Sequence, residues 1–205
     1  MNRSLPELAA RQYGVFTAAQ ATECGVPLST LHHQVKVALL RRLHPGVYAF
    51  ASSIPSWERS QMAAVLAAGP EATVSHRAAA RVWDILDTEI VEITVPRTRC
   101  PRLSAVALHR SGDLTVNHVS RWKRFPVTKP ARTIVDLGAV LPPAEVEDVL
   151  DRALTRRLIR IAGVEWILTE LSRHGRHGTG VVGRILDERA LGRERADGQH
   201  DPAAR

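Results

Sequence analysis

The side chains best equipped for chemistry lie close together: Ser29, Thr30, His32, His33 and Lys36, then Arg41, Arg42 and His44. Hydroxyls and imidazoles donate and accept hydrogen bonds, and the three cations seek anions. No Asp or Glu interrupts the chain between Glu23 and Glu58. A run of donors without acids suits a polyanion.

Three other groupings invite a chemical reading. Ser75-His76 has the types of a nucleophile and its base, but adjacent side chains on a helix diverge by about 100°. A helix cap followed by a surface histidine is therefore expected. His174-x-x-His177 has ligand spacing, yet a full site takes three or four ligands and no others lie nearby, so no metal is expected. Its segment, RHGRHGTG, reads as a mobile basic loop. Glu89 and Glu92 are the only acids on a convincing strand, and their odd spacing puts them on opposite faces. A metal-dependent nuclease needs clustered carboxylates to hold Mg²⁺, so the enzyme reading fails here and no cofactor is expected.

The elements that must position the first grouping are legible. Ser4-x-x-Glu7 and Thr17-x-x-Gln20 have the form of capping boxes, each starting a short helix. Gly14 and Gly25 can end those helices in a left-handed conformation. A third helix starts at Pro27-Leu-Ser29, with Leu31 and Val35 sharing its inner face and Thr30, His32, His33 and Lys36 turned outward. Leu40–Leu43 and Val47–Phe50 flank a Pro45-Gly46 turn and read as a β-hairpin. Two helices joined by a tight Gly turn, followed by a hairpin, make a winged helix-turn-helix. Such a unit lays its last helix in a DNA major groove and grips the adjacent backbone with the wing. Ser29, Thr30, His32, His33, Lys36, Arg41, Arg42 and His44 are its candidate DNA contacts, the cations ranking above the histidines.

GVFTAAQATECGVPLSTLHHQV followed by RRLHPGVYAF resembles the N-terminal winged helix of the AbiEi family of antitoxins from type IV toxin–antitoxin systems. VSHRAAARVWDI, VEITVPR and FPVTKPARTIVDLGAVLPPAEVEDVLDRAL resemble the second domain of such proteins, through about Glu188. The order of these motifs is more specific than the winged helix alone. Relatives tend to carry more arginine where this chain has Leu28, His32 and Gln34, and often a Gly where the helix-to-wing junction reads Val37-Ala38-Leu39. The resemblance implies a regulator that binds double-stranded DNA upstream of its own operon. It also implies a nucleotidyltransferase-like toxin, countered without a stable complex. Longer relatives append a nuclease-like domain resembling Vsr and restriction endonucleases, for which this chain has no room. A stand-alone regulator, or a remnant of such a longer protein, is the alternative.

The whole chain fits this scale. Its 205 residues hold one large domain or two small ones, and 44% hydrophobic content is ordinary for a folded protein. No apolar run is long enough to span a membrane, and Cys24 and Cys100 are too few for a disulfide framework, so a reducing cytoplasm is expected. Net charge is +7, and only three of the 28 basic residues are lysine. From Arg97 to Arg132 nine cations face Asp113 alone. Of these, Arg97, Arg99, Arg102, Arg121, Lys123 and Arg124 fall mainly in connections and form a candidate second basic surface.

Beyond a boundary near Ser53, the sequence predicts helices over Trp57–Ala68 and from Ser75 to about Trp83. Strands are expected at Glu89–Val95 and Ala105–Arg110, paired, with Thr115–Val119 and Phe125–Val127 beside them. A helix then starts at Thr128–Thr133, with Arg132 and Asp136 as a modest i,i+4 staple. Val146, Val149, Leu150, Ala153 and Leu154 line one later helix, and Val164, Ile167, Leu168 and Leu171 another. The expected class is α+β: a winged helix over 1–53, a helix-rich domain with a small sheet over 54–191, and a disordered tail over 192–205.

Overall fold

The computed structural model describes residues 4–172 and 178–198. It opens with α1 (Leu5–Ala10), β1 (Val15–Thr17), α2 (Ala18–Glu23), α3 (Leu28–Lys36), β2 (Leu40–His44) and β3 (Val47–Phe50). The Glu7 carboxylate accepts from the Ser4 N–H at 3.3 Å. Thr17 and Gln20 cap each other: the Gln20 N–H donates to Thr17 Oγ1 at 3.1 Å and the Thr17 N–H to Gln20 Oε1 at 2.9 Å. Gly25, at φ 81°, makes the turn between α2 and α3. Ala21 and Leu31 are fully buried there, in a core with Leu5, Ala9, Phe16, Leu40 and Tyr48.

Strand β1 is not foreseen by the sequence, since three residues are too few for alternation to register. It pairs antiparallel with β3, so the wing sheet has three strands in the order β1-β3-β2. This sheet buries both faces. Phe16 and Tyr48 face the helices, while Val15, Val47 and Ala49 join a second core with α4 (Trp57–Ala68). Arg59 of α4 is buried and donates through Nη1 to the Ser53 carbonyl at 2.8 Å.

A mixed five-stranded sheet follows, ordered β6-β5-β4-β8-β7. Its strands are β4 (Thr73–Val74), β5 (Glu92–Pro96), β6 (Ala107–Ser111), β7 (Val119–Trp122) and β8 (Phe125–Thr128). The expected pair is present as β5 and β6, running parallel. Residues 115–119, expected as a strand, instead hold a 3₁₀ turn at Val116–His118 before β7 begins. Tyr13 stacks on Phe125, ring centres 5.4 Å apart, so the sheet reaches the turn before β1.

Helix α5 (His76–Val82) covers the sheet, and α6 (Pro130–Leu137), α7 (Pro143–Thr155), α8 (Ile161–Ser172) and α9 (Thr179–Gly198) build a helical core beside it. Val146, Val149, Leu150 and Ala153 of α7 and Val164, Ile167, Leu168 and Leu171 of α8 are buried as their spacing requires. The architecture is α+β.

Two expectations need correction. Arg132 is more than a modest staple. It is fully buried, with Nε donating to Asp136 at 2.9 Å and Nη1 to His118 Nδ1 at 2.9 Å. Removing one partner of a buried ion pair costs several kcal/mol rather than tenths. Helix α9 runs on to Gly198, past Gly192, the expected start of the disordered tail. Arg and Glu are good helix formers, and a shortage of apolar residues does not itself end a helix. Residues 199–205 lie outside the described residues, as do His174 and His177.

Candidate nucleic-acid interface

Helix α3 stands outward from the first unit with Leu31 as its buried anchor and Val35 half-buried beside it. Ser29, His32, His33 and Lys36 are exposed and follow an i, i+3, i+4, i+7 spacing, so they form one stripe. Thr30, expected outward with them, is half-buried at the stripe's edge.

The wing divides the remaining candidates. Arg42 pairs with Tyr48 and Arg41 with Ala49. Tyr48 belongs to the core under α3, and Ala49 to the core under α4. Alternation along the strand therefore puts Arg42 on the α3 side and Arg41 on the α4 side. There Arg41 lies close enough to Arg59 for its charge, added to the effect of burial, to lower the Arg59 guanidinium pKa. His44 is half-buried, its Nδ1 is enclosed without a hydrogen-bond partner, and burial lowers its pKa. A neutral imidazole so placed contributes little attraction to phosphate. The wing tip is also tied down: Gly46 O accepts from the N–H of Ala18, the first residue of α2, at 2.8 Å.

The second basic segment separates as well. Arg121, Lys123 and Arg124 gather on one cleft with Arg11 from the end of α1. Arg97 lines a different cavity, beside Thr73 and Val116. Arg99 turns toward Glu71 at 3.7 Å, and Arg102 is exposed. Arg11 escapes sequence reading because it stands alone between two helices, far along the chain from the cations it joins.

Residues 3–51 match the family model described as transcriptional regulator, AbiEi antitoxin. The AbiEi match thus covers α1 to β3 and every candidate on α3 and the wing. A solved structure, the RV2827C protein from Mycobacterium tuberculosis, is similar over 82% of this chain and 73% of its own, with a TM-score of 0.53 and 18% sequence identity. At that identity the likeness speaks for the fold, and it extends well past the AbiEi segment. No curated protein is a significant match.

Outside the AbiEi match lies a buried polar hub that sequence reasoning misjudged. His76 is not a surface residue: it is 3% exposed, and its Nδ1 lies 2.9 Å from Ser75 Oγ. The two side chains meet because His76 takes φ 51°, outside helical geometry, so the divergence of helix neighbours does not apply. Thr94 Oγ1 donates to Ser75 Oγ at 2.8 Å. Glu92, fully buried, accepts from the Arg77 backbone N–H (2.9 Å), Arg77 Nε (3.0 Å), Arg77 Nη2 (2.9 Å) and His109 Nε2 (2.8 Å). Burial alone would raise the Glu92 pKa. The bonds from His109 and Arg77, with the charges of His76 and Arg77, outweigh it and hold the pKa down at about 2.

The rings of His76 and His109 stack 3.7 Å apart. Ligand-type atoms of His76, Glu92 and His109 all lie within 4.8 Å of one another. With its oxygens occupied by a guanidinium, an amide and an imidazole, Glu92 works as the centre of an ion-pair hub joining α5 to β5 and β6. Ser75, at 0% exposure, offers no surface to a substrate.

Proposed function

We propose that this protein is a DNA-binding transcriptional regulator, an AbiEi-like antitoxin that represses its own operon. In this reading it counters a nucleotidyltransferase-like toxin without a stable complex, and it is not an enzyme. The observation that carries the reading is the acid-free stripe Ser29, His32, His33 and Lys36 on α3, with Arg42 on the same side of the wing. The AbiEi match over those same residues supports it. The units are the winged helix over 1–53 and the α+β body over 54–191.

In mechanism, α3 enters the major groove and presents His33 and Ser29 to base edges. Lys36 and Arg42 hold the phosphates on either side, which fixes the register of the helix on the duplex. Arg41 and His44, on or near the other face, contribute less. Fluorescence anisotropy on a duplex from the upstream region, across a salt series, tests this. Lys36→Ala and Arg42→Ala should each lower the slope of log K against log[salt] by about 0.9, and Arg41→Ala by much less. His33→Ala should narrow the gap between the upstream duplex and random DNA. Unchanged affinity and slope in the Lys36→Ala/Arg42→Ala double variant would refute the interface.

A further inference from the structure

Among the described residues, one cavity sits where the DNA-reading unit meets the body. It is a cleft of about 560 Å³, within the range of about 300–1,000 Å³ usual for small-molecule sites. Leu8, Met62, Val65 and Leu66 give it apolar walls, and Arg11, Arg121, Lys123 and Arg124 stand around it. No Asp or Glu lines it. All four cations are exposed, and they come from three places: the end of α1, strand β7 and the β7–β8 turn.

The turn is held in position. Lys123 takes φ 49°, its Nζ lies 4.2 Å over the Trp122 ring, and Trp122 stacks in turn near Phe125. Gln12 and Gln20 also line it, their side-chain amides hydrogen-bonded to each other at 3.0 Å. Gln20 also closes the cap of α2.

We infer that this cleft binds a small organic phosphate of nucleotide size, its apolar body against Leu8 and Leu66 and its phosphate among Arg11, Arg121 and Arg124. Concavity, with Leu8 and Leu66 set beside the cations, favours this over a duplex. A DNA duplex is a convex rod, too wide to enter a cleft of this size. A nucleotide has both the flat apolar body and the anion that these walls and this rim complement. Occupancy would bear directly on α2 through Gln20, and so link the ligand to the unit that carries α3. Such a link is reciprocal: a ligand that alters duplex affinity must have its own affinity altered equally by the duplex.

Isothermal titration of the full chain with AMP, adenosine and inorganic phosphate, without any DNA present, tests the site independently of the DNA reading. AMP should bind saturably at one site, and adenosine and phosphate each at least about tenfold more weakly, since each lacks one half of the complement. Arg121→Ala and Arg124→Ala, both at exposed positions, should weaken AMP by about tenfold or more while the melting curve followed by circular dichroism stays in place. Absence of saturable AMP binding would overturn the inference, as would AMP binding indifferent to both substitutions. If AMP fails to bind and the same variants instead lower the salt slope of duplex binding, the cleft belongs to the DNA surface and the inference is wrong.

Discussion

Glu92 shows how far a residue's role can lie from its sequence appearance. On a strand read from Glu89 it is one of two acids on opposite faces. In the structure β5 starts at Glu92 itself, Glu89 lies before the strand, and Glu92 is the buried centre of the hub. Its pKa of about 2 is below the ordinary 4.5, so its stabilising contribution is complete above about pH 4.5 and is lost as the pH falls toward 2. Thermal melts between pH 6 and pH 2 should show stability falling through that window. Glu92→Ala should flatten that dependence and cost about 3 kcal/mol at neutral pH, because it leaves the Arg77 charge without its partner. A wild-type acid profile retained by Glu92→Ala would assign the loss to other carboxylates. Ser75-His76 teaches the same lesson from the other side. Rejecting that pair assumed helical dihedrals at His76, and a single positive φ removes the assumption.

At the scale of elements, periodicity served well wherever the core lies on one side. The Leu31 and Val35 spacing of α3, the buried faces of α7 and α8, and the Thr17–Gln20 capping box follow from residue types alone. Elements too short to show a period did not declare themselves, β1 and β4 above all, because only tertiary pairing makes two or three residues a strand. The division of Arg41 from Arg42 was hidden for that reason: it depends on which face of β3 meets α4. Left-handed positions give sharper tests. Ala38, exposed at the junction of α3 and the wing, takes φ 59°. Ala38→Gly should therefore stabilise the protein by about 1 kcal/mol in denaturant melts. Gly14 takes φ 81°, and a Cβ there would lie 2.5 Å from that of Ser53. Gly14→Ala should cost about 2–4 kcal/mol, against about 1 kcal/mol for Gly46→Ala, whose surroundings are open.

For the whole molecule, the winged helix and the body share a core. Val15, Val47 and Ala49 are buried against the cluster that holds Met62, Val74 and Phe125. Calorimetry on the full chain should thus give one cooperative transition, and a 1–53 fragment should melt well below it or aggregate, with that apolar face uncovered. Two separate transitions would mean that the shared surface contributes little. The consequence reaches protein engineering. To transplant the winged helix onto another body, or to exchange it for another, a cut at the polar Ser52–Ser56 connection would strip the back of the wing. The transferable cassette runs through α4 to Ala68, and grafts made there should stay folded where grafts cut at Ser53 lose the wing's packing.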